Sequence, residues 1–200
     1  MISSHIPIIL VVFLPLVLGW MYPSIFSPIH VIFLELIMGP TCSIIYENEP
    51  LEKNVMLQTP RPFTDTFFNV KELTTSIVQG LIITLGTLFI YQYAVKMGNN
   101  EATTRTMVFT TLIAANVFLT LVNRSFHYSI ITTSHYKNHL VPLIIMITVA
   151  LMVSLLFIPP LTVFFEFEQL TGKELLIAIT TGFVSVIWYE AVKWQNRRSA

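Results

Sequence analysis

Apolar and polar positions along the chain alternate in long blocks. Six apolar segments cover about 4–22, 29–46, 73–95, 106–124, 140–159 and 175–192. A short turn, PSIFSP, separates the first two, and a polar stretch at 47–72 follows the second. A turn at 96–105, a basic loop at 125–139 and a link at 160–174 divide the rest. Blocks of this length read as membrane-crossing helices, which need about 20 apolar residues. The pattern predicts an all-α integral membrane protein: one domain over 1–200, built as a six-transmembrane-helix bundle. Pro159-Pro160 should stop the fifth helix, and Trp188-Tyr189 suits an interfacial anchor for the sixth. The longest polar segment is too short and Pro-rich to bury a core, so no soluble domain is expected.

Composition agrees. The chain is 54% hydrophobic and only 11% charged, whereas soluble domains carry about 25% charged residues. Eleven basic residues balance eleven acidic ones, which argues against nucleic acid as a partner. Cys42 is the one cysteine and can form no internal disulfide. No basic region precedes the first apolar segment, so a secretory signal is not expected. With six spans, Lys53, Arg61, Lys71, Arg124, Lys137, Lys193, Arg197 and Arg198 share one side, against Lys96, Arg105 and Lys173. The basic excess puts both termini and the loops 47–72 and 125–139 in the cytoplasm, with the plasma membrane as the expected location.

One carboxylate interrupts the second segment, VIFLELIMGPTCS. A charge at the centre of a membrane helix costs about 2.5–3.5 kcal/mol on insertion scales. Four residues after Glu35 come Gly39 and Pro40. Pro40 has no N–H, which frees the Leu36 carbonyl, and Gly39 lets the backbone unwind. The expectation is a broken second helix whose carbonyls join Glu35 in a cation or proton site. His5, two residues before Pro7, is a second candidate at the same depth, while Asn116 and Asn123 are weaker ones that also suit interhelical hydrogen bonds. His127, His135 and His139 have no spacing of a structural zinc site. No metal site is assigned with them. No phosphate loop, nucleophile elbow or HExxH is present, so this chain alone is expected to be no enzyme and to carry no cofactor.

The run from Pro28 to Pro62 resembles the P-type cation-transporting ATPases, the calcium-pump-like group. Leu34-Glu35-Leu36-Ile37, then Glu49-Pro50-Leu51-Glu52-Lys53-Asn54-Val55-Met56 and Pro60-Arg61-Pro62, carry the likeness. Ile2-Ser3-Ser4-His5-Ile6, Arg105-Thr106-Met107-Val108-Phe109-Thr110-Thr111 and Glu190-Ala191-Val192-Lys193 are similar to that family's fifth, eighth and tenth helices. The resemblance implies a C-terminal transmembrane transport domain, a fragment from the fifth to the tenth membrane helix. It implies that the phosphorylation, nucleotide-binding and actuator domains lie elsewhere, and that the chain by itself is not an active pump. Its implied partners are the bilayer and the remaining half of a P-type ATPase, and a transported cation is implied for the whole. Family ligand positions of the fifth helix fall on His5 and Ile8, and those of the sixth on Glu35, Met38 and Gly39. One imidazole and one carboxylate remain, which suits a proton, a monovalent ion or a softer divalent metal better than calcium. A stand-alone six-helix permease, or a regulatory or assembly partner, stays open as the alternative.

Overall fold

A computed structural model describes residues 2–50, 70–125 and 128–198. The loop motif at 51–62 and His127 lie outside the described residues. The helices are α1 (Ile2–Val17), α2 (Pro28–Glu47), α3 (Val70–Lys96), α4 (Glu101–Val122), α5 (Ile130–Ser134), α6 (Leu140–Phe157), α7 (Pro159–Phe164) and α8 (Gly172–Arg198). Among the described residues five helices are long and apolar enough to cross a membrane: α2, α3, α4, α6 and α8. The protein is an all-α membrane bundle.

Three boundaries correct the sequence reading. The first apolar segment is helical only to Val17, 16 residues, which at 1.5 Å per residue is about 24 Å and short of a bilayer core. Gly19 stops it: its φ of 61° takes the left-handed turn that glycine adopts without strain, and the Trp20 N–H reaches back to the Pro15 carbonyl. α4 starts at Glu101, ahead of the expected 106, because Asn100 caps it by accepting the Thr103 N–H at 2.8 Å. Most consequentially, α2 is not broken. It runs as one α-helix through Gly39 and Pro40 to Glu47. A missing N–H removes a single rung of the ladder, the neighbouring rungs have no water to compete with them in lipid, and the Thr41 hydroxyl adds a bond to the Ile37 carbonyl.

The bundle is organised around α4, which is 83% buried where the other spans are 22–41% buried. It packs against α8, α3, α2 and α6, and α1 lies along α3. A helix buried on all sides must be apolar or satisfy its own polar groups. The hydroxyls of Thr104, Thr106, Thr111 and Thr120 do so by donating to carbonyls one turn back, each at 2.8 Å. Lipid tails are as apolar as leucine, so helix association rests on close approach. Gly182 of α8 supplies it: a Cβ there would stand 2.9 Å from the Ala115 backbone nitrogen and 3.0 Å from the Thr111 carbonyl oxygen. Gly182→Val should therefore destabilise the bundle by about 1–3 kcal/mol, read as earlier unfolding in lipid–detergent micelles.

Both ends of the bundle are tied by buried cations. At the start of α4, Arg105 donates through Nε to the Ile25 carbonyl at 2.7 Å and through Nη1 to the Glu166 carbonyl at 3.0 Å. It also pairs with the carboxylates of Glu101 and Glu166. One planar guanidinium thus joins the α1–α2 turn to the α7–α8 link. Lysine cannot reproduce that fork, and Arg105→Lys should cost about 1–2 kcal/mol of stability, measured by thermal unfolding. At the opposite end, Lys193 of α8 is buried and donates to the carbonyls of Val122 and Tyr128 while pairing with Glu190. It caps the carbonyl end of α4, where a cation is favoured.

Candidate functional site

Two polar side chains that the sequence singles out meet between α1 and α2. His5 Nε2 lies 2.9 Å from Glu35 Oε2, with 42% and 37% of the two side chains exposed. The position of His5 follows from its neighbour. Ile6 seats on Gly80 of α3, where a Cβ would lie 2.9 Å from the Ile6 Cβ. That close approach fixes α1 against α3 and turns His5 toward α2. Glu35 stands on α2, two turns from the Pro28 start, between Leu34, which is buried, and Leu36, which is 64% exposed. The pair is therefore held on one side by the bundle and open on the other.

The remaining candidates separate. Leu36 turns its side chain into an apolar groove between α2 and α6 with Phe33, Ile37, Ile144 and Leu151, and its carbonyl belongs to a continuous helix. Gly39 is one turn beyond Glu35 on the same face, and nothing lies within 4 Å of the place a Cβ would take. Asn123 ends α4 and exchanges two hydrogen bonds of 3.0 Å with the Gln79 amide of α3. That amide pair is complete in itself. Asn116 is buried; its Oδ1 accepts from the Cys42 thiol at 3.8 Å, and its Nδ2 has no partner among the described residues. Cys42 also lies 3.3 Å from the Thr120 hydroxyl.

The sequence reading missed a cavity of about 350 Å³ at the α2 and α4 ends, lined by Ser3, Ser4, Cys42, Tyr46, Ser76, Leu119, Asn123 and Ser125, with Glu49 and Arg124. Glu49 and Arg124 form a bidentate pair, Nε to Oε1 at 2.6 Å and Nη2 to Oε2 at 3.2 Å. The Asn138 amide donates to the same carboxylate at 3.0 Å and to the Ile45 carbonyl at 3.2 Å. One signal was available: Cys42 and Tyr46 stand at i and i+4 on one face of α2.

Chemically, a carboxylate against an imidazole can take up and release a proton, or hold a cation through one oxygen and one nitrogen with water completing the shell. No cluster of three or more His, Cys, Asp or Glu capable of enclosing a metal occurs among the described residues. The pair presents one nitrogen-bearing ring and one carboxylate, each partly exposed.

Comparison with known proteins finds a matching family and several relatives. The family model described as cation transporting ATPase, C-terminus, matches residues 23–195. The chain is 28% identical over 170 residues to the human calcium-transporting ATPase type 2C member 2, covering 83% of this chain and 17% of that protein. It is 22% identical over 199 residues to calcium-transporting ATPase 1 of Schizosaccharomyces pombe, covering 98% of this chain and 22% of the relative. The human calcium-transporting ATPase type 2C member 1 is 25% identical over 161 residues, 79% of this chain and 17% of that protein. The chain therefore spans between 17% and 22% of the length of these relatives.

Proposed function

The chain belongs to the family of cation-transporting ATPase C-termini, the C-terminal membrane region of P-type pumps, and from that premise we propose that it forms the ion-translocating half of such a pump's membrane domain. ATP binding and phosphoryl transfer then belong to other domains of the assembly, and this half supplies no catalytic group of its own. Its partners are lipid and the other half of the pump, which would cover the open side of the His5–Glu35 pair. Nucleic acid has no place in this reading. The loops 47–72 and 125–139 and the α8 end carry the bias in basic residues, so that end of the bundle is proposed to face the cytoplasm, and the plasma membrane is the proposed location.

One observation carries the reading: a carboxylate and an imidazole within 2.9 Å of each other on two apolar helices. Ionisable groups at membrane depth are costly and mark ion or proton pathways. The relatives are named for calcium, which takes six to eight oxygen ligands. Met38 and Gly39 beside Glu35 offer no side-chain oxygen, so the proposed cargo is a proton or a divalent cation that accepts imidazole. Zn²⁺ is a suitable probe because it binds both histidine nitrogen and carboxylate oxygen. The test is a calorimetric titration of Zn²⁺ and Ca²⁺ into the chain in lipid nanodiscs, with proton release followed by indicator dye. The reading expects Zn²⁺ binding with proton release that Glu35→Gln removes, and much weaker Ca²⁺ binding. Equal binding by the wild type and Glu35→Gln would refute it.

A further inference from the structure

A pocket of about 470 Å³ opens where α4 ends and α6 begins, and Arg124 is the one residue it shares with the serine-lined cavity. Its size falls within the roughly 300–1,000 Å³ of small-molecule sites. Its lining has two unlike parts. Arg124, Ser134, Lys137 and His139 make a basic, polar part, with Tyr136 beside them. Leu121, from the last turn of α4, joins Val141, Pro142 and Ile145 from the start of α6 in an apolar part. No acidic side chain lines the pocket among the described residues. The Arg124 charge is balanced, since Glu49 takes its Nε and Nη2. Lys137 and His139 are exposed, and their side chains have neither a hydrogen bond nor an ion pair among the described residues. Asn138 between them is buried and committed to Glu49, the Ile45 carbonyl and the Leu140 N–H. It anchors the loop while leaving the two basic residues on either side exposed. Their depth follows from α6, which begins directly after them at Leu140. Leu143, Met146 and Ile147 of α6 are 44%, 62% and 49% exposed, the apolar outer face that a helix in contact with lipid presents. The basic residues thus stand at the border of the hydrocarbon, the level that tyrosine also favours.

We propose that this pocket binds one anionic glycerophospholipid, its phosphodiester at Lys137 and His139 and an acyl chain along the exposed face of α6. Charge selects the headgroup. With Arg124 balanced by Glu49, the uncompensated cation is Lys137, which a headgroup of one net negative charge neutralises. A choline headgroup brings an ammonium of its own to the same place. The apolar part of the lining selects an amphiphile over a soluble phosphate, which could use only the polar part. The pocket lies at the end of the bundle proposed to face the cytoplasm. Anionic lipids accumulate in that leaflet, and basic pockets between membrane helices on that side receive phosphate headgroups. The lipid stands beside the Arg124–Glu49–Asn138 tie and so steadies the loop between α4 and α6. The site stands apart from the His5–Glu35 reading, and failure of either leaves the other intact.

The test offers dioleoylphosphatidylglycerol and dioleoylphosphatidylcholine at equal concentration to the whole chain in maltoside micelles, and counts bound lipid by native mass spectrometry. The site predicts that one phosphatidylglycerol per chain is retained, with a preference of about five-fold, as one uncompensated lysine at the surface supplies. Lys137→Gln, a change at an exposed position, should abolish that preference. Arg198→Gln removes a charge from the exposed end of α8 on the same membrane surface, because Lys193 ties that end to the α4 carbonyls, and should leave the preference intact. Equal losses in the two variants mean general attraction to a basic surface and overturn the site, as does equal retention of the two lipids by the wild type. Inorganic phosphate and glycerol phosphate, added in excess, should not displace the lipid; displacement by either overturns a lipid as the occupant. A second arm needs no variant. Phosphatidylglycerol carrying a diazirine in its acyl chain is irradiated with the wild-type chain, and the adducts are mapped by peptide mass spectrometry. Adducts concentrated on 141–149 support the site, and adducts spread equally over α3, α6 and α8 overturn it.

Discussion

Glu35→Gln lowers the affinity of the chain for Zn²⁺ by about a hundred-fold or more, and it does so without loss of stability. The two halves of this expected result have separate causes. Glutamine keeps the size of the side chain and an oxygen that can meet the His5 ring, so the contact between α1 and α2 survives. What it lacks is the negative charge that compensates a bound cation in a medium of low dielectric, and removing even an outer partner of a metal ligand costs about 10–100-fold in affinity. Meanwhile a carboxylate near the centre of a membrane helix is itself unfavourable by about 2.5–3.5 kcal/mol on insertion scales. Its neutral isostere relieves part of that burden. The unfolding midpoint in micelles should accordingly stay level or rise. A glutamate kept only to hold two helices together would show the opposite combination: unchanged Zn²⁺ binding and a lower midpoint.

Glu49→Ala should be the most destabilising single substitution of a polar residue in the described structure, at about 3–5 kcal/mol. Arg124 and Glu49 are both nearly buried, with 5% and 11% of their side chains exposed. Alanine leaves the guanidinium without its partner and takes an acceptor from Asn138, so the ends of α2 and α4 and the loop before α6 all lose their common tie. The combined Glu49→Leu, Arg124→Met change should recover most of the loss, because two desolvated charges are removed together. The Asn138 bond to the Ile45 carbonyl remains to hold the loop. Denaturation of the three proteins in the same micelles checks this, and additive losses in the double variant would contradict it.

How far the sequence could be read depends on what each feature needs. His5 and Glu35 were legible because a titratable group inside an apolar block is visible without any partner. That they touch was not, since it depends on Ile6 finding Gly80 across α3. The helical blocks were visible as hydropathy, but the ends of α1 and α4 were set by Gly19 and Asn100, single residues whose turn and cap outweigh the surrounding pattern. Gly39-Pro40 misled for a physical reason: the loss of one backbone bond is tolerated when neither neighbour has a better place to bond than the helix. Lys193 looked like a surface charge counting toward orientation, yet it is buried as the cap of α4. The cavity was the least legible feature, because its walls come from residues separated by most of the chain and none is unusual alone.

The central claim is that His5 and Glu35 act together on a cation. It is tested most directly by the ¹⁵N signal of the His5 imidazole, observed in bilayers by solid-state NMR while Zn²⁺ is added. The claim predicts that the Nε2 resonance of the wild-type chain moves saturably at one ion per chain, and that the same titration leaves the His5 ring of Glu35→Gln unmoved. A His5 signal indifferent to Zn²⁺ in the wild type, or one that moves equally with and without the Glu35 carboxylate, would contradict it.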